Sequence, residues 1–138
     1  MASDGLTTLE SHFSPKETLD RLEDDVKAKG LTVFARIDHA AGAAAVGMTL
    51  LPTAVLIFGN ARGGTPLMQA SQLIGIDLPL KVLVWQDTSG KTWLSYYDPS
   101  VLAKRYGLSV ETTTPVGNLS AALRGLTAKA AGAGLSRF

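Results

Sequence analysis

A chain of 138 residues with 13 basic and 12 acidic side chains, a formal charge of +1, is long enough for one domain with a real core. No run of like charges forms the basic stripe that nucleic acid would need or a polyionic tail. Cysteine is absent, which excludes disulfide frameworks, thiolate nucleophiles, iron–sulfur clusters and Cys-type zinc sites together.

Met1-Ala2-Ser3-Asp4-Gly5 has no basic segment leading into an apolar one, so no secretory signal is read and the cytoplasm is the expected compartment. Leu6 to Phe13 alternates loosely and predicts a first strand. Ser14-Pro15-Lys16-Glu17 then supplies an N-cap, a proline at the first helical position and Glu at the third, a capping box. Leu19, Leu22 and Val26 give that helix its inner stripe, and Gly30 stands where a left-handed C-cap belongs. "LTVFARI", Leu31 to Ile37, predicts a second strand, with Asp38 capping an Ala-rich helix.

From Ala40 to Ala61 no residue is charged, and the run is long enough to span a bilayer. Pro52 in its middle and the weakly inserting Ala and Gly of its first half favour a helix, a turn and a buried strand, Thr53 to Phe58. No membrane span is expected. Thr65-Pro66 predicts a helix start with Thr65 as N-cap, Gly63-Gly64 as the preceding turn, and a helix running to about Leu73. Leu80 to Trp85 and Thr92 to Tyr97 flank "QDTSGK" as a hairpin, with Trp85 and Trp93 as register partners. Asp98-Pro99 opens a further helix with Leu102, Ala103 and Tyr106 inward, ended by Gly107. "SVETTTPVG", Ser109 to Gly117, reads as extended or loop, before Asn118 caps a last helix carrying Leu119, Ala122, Leu123 and Leu126 on one face; Gly132 and Gly134 fray it out. The hairpin turns an otherwise parallel-looking strand–helix series toward an α+β domain.

The blocks "ARIDHAAGA", "PTAVLIFGN", "GGTPLMQ", "GIDLPLKVLVW" and "WLSYYDPSVLAKRYGL" resemble, in that order, the domain-of-unknown-function 302 family across Leu6 to Leu108. The resemblance implies a small α+β fold of the TATA-binding-protein-like type, a curved, mostly antiparallel sheet with helices packed on one face, usually self-associating. It implies no activity. The element order is β-α-β-α-β-α-β-β-α with an extra C-terminal helix, dividing the chain into a family domain at 6–108 and an extension at 109–138.

The candidate binding residues gather at "FGNARGGT": Asn60, Arg62, the Gly63 and Gly64 amides and the Thr65 hydroxyl converge at a helix start, where free N–H groups and the dipole favour an anion. The segment lacks the glycine–lysine and G-x-G-x-x-G fingerprints of nucleotide sites, and no cofactor is expected. Asp38 beside His39 offers a carboxylate and an imidazole for acid–base work, set against helix capping by Asp38 and a surface place for His39. A metal site would need more imidazole than His12 and His39 provide, and none is expected. Arg36 and Lys81 interrupt apolar strands, with Asp38 and Asp77 as their natural ion-pair partners. Tyr96 and Tyr97 must face opposite ways, and the Trp pair reads as core or dimer interface.

Three readings follow. The leading one is a self-associating binding module, a homodimer, for a small anionic ligand, with Phe58 and Met68 as apolar walls. The second is an enzyme using Asp38 or His39 as base and Lys81 as electrostatic partner. The third is a plain self-association domain, to which the apolar fraction of 46% lends weight.

Overall fold

A computed structural model describes residues 5–133. Strands β1 (Leu6–Ser11), β2 (Thr32–Asp38), β3 (Thr53–Gly59), β4 (Leu80–Gln86) and β5 (Thr92–Tyr97) form one sheet in the order β1-β5-β4-β3-β2. All four neighbouring pairs are antiparallel. The helices are α1 (Pro15–Ala28), α2 (His39–Ala45), α3 (Ala61–Ala70), α4 (Pro99–Arg105) and α5 (Thr113–Ala131), with 3-10 turns at Gln72–Asp77 and Val110–Thr112. This is the α+β architecture expected from the hairpin, and every strand of it is antiparallel.

Local chemistry sets most of the boundaries. Ser14 Oγ accepts from the Glu17 amide at 3.1 Å, and Asp98 Oδ1 accepts from the Ser100 amide at 2.9 Å, each beside a proline that opens its helix. Gly30 follows α1 at φ +76°, a conformation that costs a glycine little. Asp98 also accepts from Ser120 of α5 at 2.6 Å. Burial works to raise its pKa, but the Ser120 and Ser100 bonds outweigh that and hold the carboxyl below its ordinary value.

Two expected boundaries move. Helix α3 starts at Ala61 with Asn60 as N-cap, rather than at Pro66 with Thr65 as N-cap, because Asn60 Oδ1 accepts from the Gly63 amide at 2.7 Å. Gly63 and Gly64 are therefore helical, and Pro66 lies inside the helix. Gly63 is there for contact: a Cβ would stand 2.9 Å from Leu119 Cδ2 of α5. Asn60→Ala should cost about 1 kcal/mol, read as a lower urea midpoint with unchanged m value.

The second correction concerns Ser109 to Gly117. It folds as a 3-10 turn followed by the start of α5 at Thr113, so Asn118 is an interior helical residue and not a cap. Pro115 falls in the first turn, where a missing amide costs no helical bond, and burial of Thr112 and Val116 overrides the weak helix propensity of the threonines. Gly132 ends the helix at φ +81°, and Gly134 lies outside the described residues.

The core lies on one face of the sheet. Leu56, Phe58, Val82, Val84, Leu94 and Tyr96 point at Leu22 and Val26 of α1 and Leu123 and Leu126 of α5. A second cluster, Leu67, Ile74, Leu102 and Val116, ties α3, the Gln72–Asp77 turn and α4 to α5, and Leu78 and Leu119 touch both clusters.

The opposite face carries no helix of the main core, yet it is apolar. The register sets Ile37 beside Val55, Val55 beside Leu83 and Trp85 beside Trp93 on that side. The two indoles stack with centroids 6.2 Å apart. The Trp93 Nε1–H donates to Asp87 Oδ2 at 2.8 Å across the hairpin turn.

That bond, with others from Ser89 and Lys91, holds the Asp87 carboxyl down to about 2. A depressed folded-state pKa gives stabilisation that is fully present above the unfolded value near ~3.9 and lost as pH falls through the folded one. The stability difference between wild type and Asp87→Asn should accordingly shrink between pH 4 and about 2, measured by urea unfolding at each pH. A difference independent of pH would contradict the assignment.

Candidate functional site

Of the residues singled out in the sequence, Asn60 and Gly64, Asp38, and Lys81 line three separate cavities, and Arg62, Gly63, Thr65 and His39 line none of the three. The junction cavity, about 240 Å³, is lined by Asn60, Ala61, Gly64 and Met68 against Phe34, Leu78 and Leu119. Arg62 and Thr65 do not line it and are exposed. Helical phase explains the split: Ala61, Gly64 and Met68 recur at i, i+3 and i+7 on the cavity side, while Arg62 and Thr65 share the solvent side. The Gly63 amide is taken by Asn60 Oδ1 and the Gly64 amide by the Asn60 carbonyl at 3.2 Å. The expected convergence of five groups on an anion is thus not formed here; Asn60 and Gly64 meet on an apolar wall.

Asp38 lines a second cavity of about 490 Å³, between the start of α1 and the β2–β3 end of the sheet, with Lys16 and Arg36. Its Oδ1 accepts from the Ala41 amide at 2.9 Å and caps α2, and His39 is exposed at the first position of that helix. Arg36 pairs with Asp20 and Glu23 of α1, each at 2.8 Å, instead of Asp38. Burial opposes the Arg36 charge, but the two carboxylates outweigh it and raise its pKa. In return, bonds from Lys16 and Arg36 lower Asp20, and the Arg36 bond leads in lowering Glu23.

Lys81 lies in the third cavity, about 340 Å³, at one end of the open sheet face. Its walls are Leu6, Val55, Leu83, Trp85 and Tyr97, with Ser95 and Asp77 as further polar groups. Register and cavity lining put Asp38 on the helix side of the sheet and Lys81 on the open side, so these two do not share a site. Nor does Asp77 pair with Lys81: it accepts from Tyr106 Oη at 2.5 Å and Arg105 at 3.3 Å. The Asp77 bond raises the Tyr106 pKa. With Asp77 offset by Arg105, Lys81 is the uncompensated charge at this cavity, without an ion-pair partner among the described residues. Inside, Ser95 is fixed by Trp85 Nε1, which donates to its Oγ at 2.9 Å, and by Thr8 Oγ1 at 2.9 Å.

Sequence reasoning missed this site as a site. It assigned the tryptophans to core or interface and separated Tyr96 from Tyr97 by alternation, which holds: Tyr96 is buried and Tyr97 is 39% exposed. The available signal was β4 itself, "LKVLVW", apolar at both parities although it belongs to a hairpin that needs only one buried face.

Comparison with known proteins bears on the whole chain. The model of the family described as a domain of unknown function, DUF302, matches residues 7–126. A fluoride-specific ion channel FluC 1 from Brucella suis is 46% identical over 112 residues, 81% of this chain and 44% of that protein. FluC 2 from Brucella melitensis is also 46% identical over 112 residues, 42% of its length. The chain therefore spans less than half of the curated relatives it matches. The crystal structure of an uncharacterized conserved DUF302 protein from Bacillus stearothermophilus superposes with a TM-score of 0.73 at 20% identity, covering 95% of this chain and 98% of that one. Among the described residues no helix is long and apolar enough to cross a membrane. Family match, fold and element order agree, and the chain belongs to the DUF302 family.

Proposed function

We propose that this chain is a self-associating binding module for a small amphipathic anion, held in the cavity at the end of the open sheet face. One observation carries the reading: a largely apolar cavity of about 340 Å³ with Lys81 as its uncompensated charge. That volume is at the low end for small-molecule sites and fits a ligand of about a dozen non-hydrogen atoms. A carboxylate at Lys81 would gain a charge-assisted contact, and an alkyl or aromatic body would cover Leu83, Val55 and Trp85. The reading keeps the anionic ligand inferred from the sequence and moves its site from the α3 start to β4 and β5. An acid–base enzyme built on Asp38 and Lys81 has less support, because those groups line different cavities.

The Brucella relatives are named as channels for fluoride, and the matched segment is the smaller part of each. With no membrane-crossing helix among the described residues, we read the shared segment as a module that binds rather than conducts.

Decanoate is a suitable probe. Both tryptophans of the chain lie on the open face and Trp85 lines the cavity, so intrinsic fluorescence should change saturably on titration. Lys81→Met should weaken binding about tenfold or more, as expected for loss of a charged hydrogen-bond partner. A flat titration, or equal affinity in Lys81→Met, would overturn the proposal.

A further inference from the structure

We infer that the junction cavity beside α3 is a second binding site, for a small neutral aromatic molecule carrying a hydrogen-bond acceptor such as a ketone. It stands apart from the anion proposed for the open sheet face, and neither reading depends on the other.

The first observation is Gly64. A glycine inside a helix weakens it relative to alanine, so it calls for a reason in backbone or packing. Gly63 has one, the approach of Leu119. Gly64 has neither: its φ is not positive, and a Cβ would meet Leu78 Cδ1 at 3.6 Å and Met68 Cε at 3.7 Å, ordinary contact distances. A methyl group would fit there, and it would stand in the cavity whose wall Gly64, Met68 and Leu78 share. What glycine does at this position is keep that space of about 240 Å³ open.

The second is Phe34. In β2 the register passes from Val33 opposite Phe58 to Ala35 opposite Ile57, which leaves Phe34 as the extra residue of a β-bulge. Regular pairing would set Phe34 opposite Ile57, on the open face. The bulge brings it instead to the wall of this cavity, with Leu80 and Leu119 on the helix side, where it is still 56% exposed. An aromatic side chain thus stands at the mouth with more than half of its surface uncovered, and Met68 adds a thioether to the wall. Rings and thioethers both make favourable contacts with an aromatic body.

The third is polarity. Among the described residues that line the cavity none is charged, and Asn60 alone has a polar side chain. An ion would lose its water there without a counter-charge, which selects a neutral ligand. Asn60 Oδ1 is held by the Gly63 amide at 2.7 Å, which fixes the orientation of the side chain, while Nδ2 donates to no group among the described residues. Those N–H donors, at an exposed residue of the mouth, select an acceptor on the ligand. A dry apolar cavity of ~150 Å³ holds benzene, so this larger one takes a single ring with a short substituent.

The test is a titration with acetophenone, followed at the Met68 methyl resonance of the full chain labelled at its methionine methyls, three in the sequence. A saturable shift with a dissociation constant in the millimolar range or below is expected. Cumene has the same shape without the acceptor and benzoate the same size with a charge, and each should bind about tenfold more weakly, or worse, at this resonance. Gly64→Ala should abolish the Met68 shift while raising the urea midpoint, so that lost binding is not lost fold. Asn60→Asp keeps a helix-capping oxygen, removes the N–H donors, and should weaken acetophenone about tenfold with far-UV circular dichroism unchanged. Lys81→Met should lose decanoate and keep acetophenone, so failure of one site is told apart from failure of the other. No saturable shift at Met68 up to about 10 mM would overturn the inference. So would undiminished affinity in Gly64→Ala or Asn60→Asp, or equal affinity for cumene.

Discussion

A chain ending at Leu108 is expected not to fold. Helix α5 gives the main core Leu123, Leu126, Ala130 and Ala131, and gives the second cluster Val116, all nearly or fully buried. Each fully buried leucine or valine contributes about 1.5–3 kcal/mol, so losing this set with the surfaces it covers removes most or all of a margin of roughly 5–15 kcal/mol. The helix is also tied down by polar contacts. Arg21 donates to the Lys129 carbonyl at 2.8 Å, and Lys129 reaches the buried Asp25 at 3.0 Å. Without α5 that carboxylate would lose a cation, and Leu22 and Val26 of α1 would face water. Circular dichroism and urea unfolding of the 1–108 chain check this: a cooperative transition with native-like ellipticity would mean that α5 is an appendage. The family match through residue 126 is in keeping with the first outcome.

The second large effect is Phe58→Ala. Phe58 is fully buried in the central part of the core, on a strand paired on both sides. Truncation removes its transfer free energy and leaves a cavity that neighbouring strands and α1 cannot collapse to fill, a cost of about 3–5 kcal/mol. Urea unfolding should show a correspondingly lower midpoint with little change in m value. Val110→Ala, at a residue 85% exposed, should stay within about 0.5 kcal/mol of wild type. Comparable losses in the two variants would mean that the core is not where the fold puts it.

What could be read from the sequence was read where local chemistry decides. Ser14-Pro15 and Asp98-Pro99 start helices because the side-chain oxygen and the proline act within one turn. Thr65-Pro66 has the same appearance and a different outcome, since Asn60 is also a good cap and the approach of Leu119 to Gly63 holds the earlier start in place. No local pattern reports that contact. The threonines before Pro115 likewise disfavour helix on their own and become helical because Val116 has a core to enter. A five-residue error in the start of α3 then propagated to the site. It put Arg62 and Thr65 with Asn60 in one cradle, where the true phase sends them to solvent. Lys81 stands out in the sequence as a charge inside an apolar strand, but its role depends on Asp77 being engaged by Arg105 and Tyr106, at the end of α4 and about thirty residues from Asp77 in sequence.

The central claim is the location of the ligand. Amide chemical-shift mapping by heteronuclear NMR during a decanoate titration distinguishes the three cavities in one experiment. The largest shifts are expected at Lys81, Leu83, Ser95 and Tyr97, with the Trp85 indole N–H moving as its bond to Ser95 responds. Shifts gathered instead at Asn60, Gly64 and Met68, or around Lys16, Arg36 and Asp38, would contradict it.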